Sequence, residues 1–293
     1  MKKFYIYILM LALAVSATAQ NTYFAPSLST GIGGLRVNRD CPYNYNKGIG
    51  SFLGFDIINY FYEGHGLQFG VNVGHSGGII HEWTRSFPGV GTQSFVAADG
   101  TVSQQDVHYT LKPSKFSEQY DFWNVGIPIS YTYKYKEFFM SAGVEFIIPL
   151  SLKATNSVKG IDMYLGPEIP DMGIVLDDPI SIGDIDDYFA VTELYSRNGT
   201  NNYAEPSFVD FIMEAGVWMP LSEKADLLLS VFLDYAPKKV KLEGGSSFVE
   251  MTPSSIEYNT LMHSDAITSL RFFNIGIRLK LAFGAKWNDP CIK

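Results

Sequence analysis

The 293-residue chain carries 30 acidic against 22 basic side chains, a formal charge of −8, which argues against nucleic acid as a partner. Beyond the N-terminal segment no apolar run reaches the roughly 18 residues of a spanning helix, so membrane residence would require a closed β-barrel. A content of 46% hydrophobic and 15% aromatic residues with 27 glycines suits barrel strands with small inward residues and aromatic girdles, and equally a secreted β-sandwich.

The chain opens MKKFYIYILMLALAVSATAQ. Two lysines, a short apolar run and the small-residue site Ala17-Thr18-Ala19 form the pattern of a secretory signal peptide over residues 1–19, leaving residues 20–293 as one mature domain. Cys41 lies too far from that site to be a lipidated terminus.

From there the chain alternates with period two. In a first strand Phe24, Leu28, Thr30 and Ile32 oppose Ala25, Ser27, Ser29, Gly31 and Gly33. In a second, Ile49, Leu53, Phe55 and Ile57 oppose Gly50, Phe52, Gly54 and Asp56, with a turn around residues 59–64. The third sets Leu67, Phe69, Val71 and Val73 against Gln68, Gly70, Asn72, Gly74 and Ser76. Residues 79–119 form a long segment broken by Pro88, Gly89, Gly91 and Gly100, in which patches such as 105–111 extend the flanking strands.

Residues 124–150 predict a hairpin turning at 134–137. One arm places Trp123, Val125, Ile127, Ile129, Tyr131 and Tyr133 outward against Asn124, Gly126, Ser130 and Thr132. The other places Phe138, Met140, Ala142, Val144, Phe146, Ile148 and Leu150 outward against Phe139, Ser141, Gly143 and Glu145. Trp123 lies about ten residues from Tyr131 and Tyr133, which in a tilted strand spans about 25 Å, the height of an outer-membrane apolar band. The small residues behind this face suit a narrow lumen better than a solvated surface.

The longest predicted interruption, residues 153–204, is rich in Asp, Gly and Pro. A sixth strand sets Val209, Phe211, Met213, Ala215 and Val217 against Asp210, Glu214, Gly216 and Trp218. The seventh sets Leu227, Leu229, Val231, Leu233 and Tyr235 against Asp226, Ser230 and Asp234. After a loop at 238–270, the eighth sets Phe273, Ile275, Ile277, Leu279, Leu281 and Phe283 against Phe272, Asn274, Gly276, Arg278, Lys280 and Ala282. Connections after strands two, four and six are short and the others long, the asymmetry between periplasmic turns and extracellular loops. The expected fold is therefore all-β, an antiparallel up-and-down transmembrane β-barrel of about eight strands.

Three segments carry a family resemblance: Gly126 to Phe146 with its Gly-Ile-Pro-Ile and Ser-Ala-Gly-Val-Glu-Phe arms, Val209 to Ala236, and the closing Asn274 to Phe283. They resemble the outer-membrane β-barrel proteins of the Bacteroidetes, the PorT-like family, whose barrel is similar to that of OmpA-type proteins. The resemblance implies an outer-membrane location, with lipid, lipopolysaccharide and the barrel assembly machinery as partners. The chain departs from it in carrying residues 284–293 beyond the final aromatic, Phe283.

Candidate chemistry is sparse. Gly74-His75-Ser76-Gly77-Gly78 fits the G-x-S-x-G elbow, but no helical periodicity follows it. His75, His81, His108 and His263 lack metal-ligand spacing, the acidic stretch within 153–204 lacks the EF-hand order, and Lys238, Lys239 and Lys241 could either meet lipid phosphates or solubilise a loop base. No catalytic residue, cofactor or metal is assigned. The informative set is inward: Asp56, Glu145, Asp210, Glu214, Asp226 and Asp234 against Arg278 and Lys280, expected to form a structural ion-pair network because carboxylates in a low-dielectric interior must be paired or protonated.

Function is therefore expected to be non-enzymatic and to reside in extracellular loops that meet an unknown partner, through adhesion, partner binding, or a structural or secretion-accessory role. A small channel or ligand carrier is the first alternative and an outer-membrane hydrolase the second. Cys41 and Cys291 are expected on opposite sides of the membrane and hence unpaired.

Overall fold

The computed structural model describes residues 21–37, 44–46, 48–81, 87–96, 99–165, 168–169, 174–175, 180–185, 188–196, 207–241, 249–252, 255–258, 260, 262 and 269–284. The expected leader, Cys41 and Cys291 lie outside them, as do Asp171, Asp177, Asp178, Asp186 and Asp187 of the acidic stretch.

Eight long strands build the molecule: β1 (Asn21–Val37), β2 (Gly48–Tyr62), β3 (His65–His81), β4 (Val102–Tyr135), β5 (Phe138–Leu165), β6 (Phe208–Pro220), β7 (Ala225–Tyr235) and β8 (Ser269–Gly284). Each pairs antiparallel with its sequence neighbours, and β8 pairs with β1, so the sheet closes on itself and has no free edge in the ring. Closure satisfies every ladder hydrogen bond that an open edge would leave to solvent.

The stagger follows from the register. Stepping from Tyr23 through Ile58, Gln68, Ser130, Gly143, Ile212, Asp234 and Asn274 returns to β1 at Gly33, ten residues further on. With strands about 4.8 Å apart and a rise of about 3.3 Å per residue, that shear tilts the strands by about 40°. An eight-stranded bore of this kind is just wide enough for side chains.

Two-residue turns join β2 to β3 and β4 to β5. At the first, Glu63 and Gly64 both adopt positive φ (38° and 83°), which matches the twist of a tight hairpin. Residues 221–224 join β6 to β7, closed by the Leu221 and Ser222 N–H groups on the Ala225 carbonyl at 3.0 and 2.9 Å. These three turns share one end of the barrel, the turn end; the longer connections leave from the other, the loop end.

Apart from Leu150, which falls at a bulge, the inward and outward assignments made from alternation in the eight strands agree with the observed faces. Two boundaries differ from expectation. Residues 153–165, expected within the longest interruption, continue β5, and β4 begins at Val102, so the patch at 105–111 extends it as expected but within one continuous strand. Together they form a ribbon that projects past the ring, with Tyr109 paired to Leu165, and Phe87–Val96 and Tyr188–Ser196 pairing onto its outer edges. The cause of the misreading is a bulge: Trp123 faces Ser151 while Asn124 faces Pro149. Leu150 is the extra residue, so Leu152, Ala154 and Asn156 turn inward where the earlier phase would put Ser151 and Lys153.

The polarity of the barrel is inverted relative to a water-soluble one. Outward residues such as Ile49 and Leu53 (both 68% exposed), Leu28, Phe138, Met140, Val231 and Ile277 are exposed, while Asp56, Glu145, Asp210, Glu214, Asn274 and Lys280 are buried.

Candidate functional site

The lumen is built in three layers. At the turn end, inward aromatics stand where strands meet short turns: Tyr23, Tyr60, Phe139 and Trp218, with Ile58 and Leu228, form one buried cluster. Trp218 is its centre, making edge contacts with Tyr23, Tyr60 and Phe139 at centroid distances of 5.1, 5.8 and 6.1 Å. Its indole N–H donates to Asp226 Oδ2 at 2.9 Å, and Lys134 Nζ caps the ring at 4.3 Å. An indole satisfies one polar atom while its area fills the bore.

The middle layer is charged. Lys280, fully buried on β8, reaches Glu214 on β6 (2.8 Å) and Asp56 on β2 (3.2 Å). Arg278 lies 3.3 Å from Glu214 and stacks on Phe232 at 4.6 Å, and Ser230 Oγ donates to Glu214 Oε1 at 2.6 Å. Strands β2 and β6 are not neighbours of β8, so these bonds tie strands across the bore as well as along the wall. Arg278 and Lys280 are the only buried cations among the described residues of the lumen.

The remaining predicted carboxylates are held differently. Glu145 accepts a close hydrogen bond from Asn72 Nδ2. Room for it comes from Gly126, where a Cβ would overlap Glu145 Oε1; Gly70 clears Asp56 in the same way. Asp210 stands directly opposite Glu145 in the register, and neither of its carboxylate oxygens has a hydrogen-bond partner among the described residues. Asp234 Oδ1 and both amide atoms of Asn124 and of Asn274 share that condition. The predicted set is thus gathered in one lumen, but only Asp56, Glu214, Arg278 and Lys280 are joined as ion pairs.

At the loop end Phe122, Phe208 and Phe272 form a triangle with centroids 6.2 to 6.3 Å apart. Two described residues between β7 and β8 lie inside: Thr260 and Met262 are fully buried, and the Met262 N–H donates to Glu118 Oε1 at 3.0 Å. Sequence reading missed both closures. The turn-end plug had a signal, since Tyr23, Tyr60, Phe139 and Trp218 all fall on inward phases beside strand ends. The Glu118–Met262 bond had none, because it joins residues 144 positions apart.

The elbow pattern is not realised. Ser76 lies within the uninterrupted β3 and points into the lumen, whereas His75 points outward, its Nε2 3.3 Å from Asp121 Oδ1 and its ring 4.7 Å from Trp123. Neighbours in a strand face opposite sides, so His75 cannot act on Ser76. No cluster of three metal-ligating side chains occurs among the described residues, and the side chains of His81, His108 and His263 lie outside them.

On the outer wall, His65 bonds Tyr131 and stacks 4.8 Å from Tyr133 near the turn end. His75 and Trp123 make the matching contact ten residues along the same two strands.

Fold and lumen together define the class: a closed eight-stranded antiparallel β-barrel with a filled, charged interior and an apolar outer wall. The sequence matches no protein-family model and no curated protein.

Proposed function

We propose that this protein is a non-enzymatic outer-membrane β-barrel with a closed lumen, working through the surface at its loop end. The observation that carries the reading is the inverted polarity of the wall and its dimensions. Along β8 the outward side chains from Phe283 to Phe273 are all apolar, and ten residues at about 40° tilt span about 25 Å, the thickness of an outer-membrane apolar band. The His65–Tyr131–Tyr133 and His75–Trp123 clusters bracket a band of the same height, as interfacial girdles do. The leader-like residues 1–19, and the PorT-like segments at Gly126, Val209 and Asn274, support the same compartment.

A closed lumen favours recognition over conduction. Two aromatic layers stand above and below the charged one, and a solute would have to displace both. Partners on the cell surface then meet the β4–β5 ribbon and the loop-end connections, while outer-membrane lipid and the assembly machinery meet the wall. Recording from planar bilayers tests this: the reconstituted protein is expected to give no steady current, and steady conductance at the level of a porin would favour the channel. A serine-reactive phosphonate is expected to leave Ser76 unlabelled, and labelling that vanishes in Ser76→Ala would favour the hydrolase.

A further inference from the structure

The outer wall carries a local reversal of the chain's acidic balance. Just beyond the apolar band at the loop end of β7 and β8, residues 236–241 read Ala-Pro-Lys-Lys-Val-Lys and residues 269–273 read Ser-Leu-Arg-Phe-Phe, without an acidic side chain in either, in a chain of net charge −8. The two segments are held side by side: the Ala236 N–H donates to the Phe272 carbonyl at 3.0 Å, and Val240–Lys241 pairs with Leu270 and Ser269.

Arg271 is the fixed member of the group. Its Nη1 donates to Tyr235 Oη at 3.0 Å and its guanidinium lies 5.6 Å from the centre of that ring, so the tyrosine orients it on the outer face. Among the described residues no carboxylate forms an ion pair with Arg271. Lys238, Lys239 and Lys241 are exposed on the adjoining segment. Arg271 stands two residues past Phe273, which places it about 5 Å above the apolar band, where head groups begin. The opposite end shows no such bias: Glu63, Lys136, Glu137, Glu223 and Lys224 are exposed there in mixed sign.

The geometry points to a binding site for the phosphate of a phosphorylated glycolipid in the outer leaflet, formed by Arg271 and Lys239 with Lys238 and Lys241 at its rim and Tyr235 positioning the arginine. An oriented guanidinium matches a phosphate through paired N–H donors, and lysines add point charges at the same level. Below the site, Leu233, Phe273 and Ile275 offer an apolar wall to the acyl chains of the same molecule. This site rests on the outer-membrane reading given above.

The test uses the full chain in lipid nanodiscs of phosphatidylcholine, with bisphosphorylated lipid A and its dephosphorylated form as probes and retention measured by native mass spectrometry. The parent is expected to retain the phosphorylated form about ten-fold more strongly, and Arg271→Gln/Lys239→Gln to lose that preference. Lys238→Gln/Lys239→Gln/Lys241→Gln, confined to exposed side chains, is expected to weaken it as well. Lys136→Gln/Lys224→Gln, which removes the same charge as the double variant from the turn end, is expected to leave it unchanged. Equal retention of both probes by the parent, undiminished preference in the loop-end variants, or equal loss in the turn-end control would overturn the site. Failure of the folded parent to enter the nanodisc would instead overturn the membrane reading itself.

Discussion

Two inward carboxylates on β6, four residues apart, have opposite surroundings. Glu214 meets Lys280, Arg278 and the Ser230 hydroxyl, whereas Asp210 faces Glu145 and has no hydrogen-bond partner among the described residues. Both are acids on the same face of one strand at nearly full burial. What separates them is the stagger of the barrel, which carries the cations of β8 to the level of Glu214. Inward alternation therefore identifies who enters the lumen, and the shear decides who meets whom.

The largest effect is expected at Glu214. Replacing it by Ala leaves Arg278 without its ion pair and Lys280 with Asp56 alone, and the loss is expected to be about 3–5 kcal/mol, read from urea unfolding in vesicles by heat-modifiable gel migration. An unchanged midpoint would show that the cations do not depend on it. Arg278→Ala is expected toward the lower end of that range, about 3 kcal/mol, because Lys280 still holds Glu214. If it proved more damaging than Glu214→Ala, the network would be centred on the arginine instead.

Gly126→Ala sharpens the Glu145 side. Its new methyl overlaps the Glu145 carboxylate and disturbs the bond from Asn72, for about 1–3 kcal/mol. The same assay checks it, and a neutral result would mean that the side chain has room to move. The smallest effect carries the opposite sign: Asp210→Asn removes a like charge opposite Glu145 and is expected to be neutral or to stabilise by up to about 1 kcal/mol. A loss of several kcal/mol at Asp210 would mean that this carboxylate has a partner as strong as those of Glu214.

The strands were legible because period two is set by the pleat and holds wherever one face is apolar. The set Asp56, Glu145, Asp210, Glu214, Asp234, Arg278 and Lys280 was legible for the same reason. Pairing within it was not, since Lys280 reaches Asp56 and Glu214 across intervening strands through a shear that no single strand encodes. The extension of β5 was hidden by the bulge at Leu150, which shifts the phase of Leu152 and Ala154 and makes Lys153 look like the start of a loop. Trp218 was read as inward, but its place at the centre of a plug follows from Tyr23, Tyr60 and Phe139 converging from other strands.

The two described tryptophans test the inverted barrel most directly, because Trp123 is 46% exposed on the outer wall and Trp218 only 3% exposed within the lumen. Single-tryptophan chains, made with the other indoles replaced by Phe, are folded into vesicles of brominated phosphatidylcholine and their fluorescence compared with that in unbrominated lipid. Trp123 is expected to be strongly quenched, most by bromines nearest the head groups, and Trp218 to be nearly untouched. Quenching of Trp218 with Trp123 spared, or quenching of neither in the folded protein, would contradict a barrel whose apolar wall faces lipid.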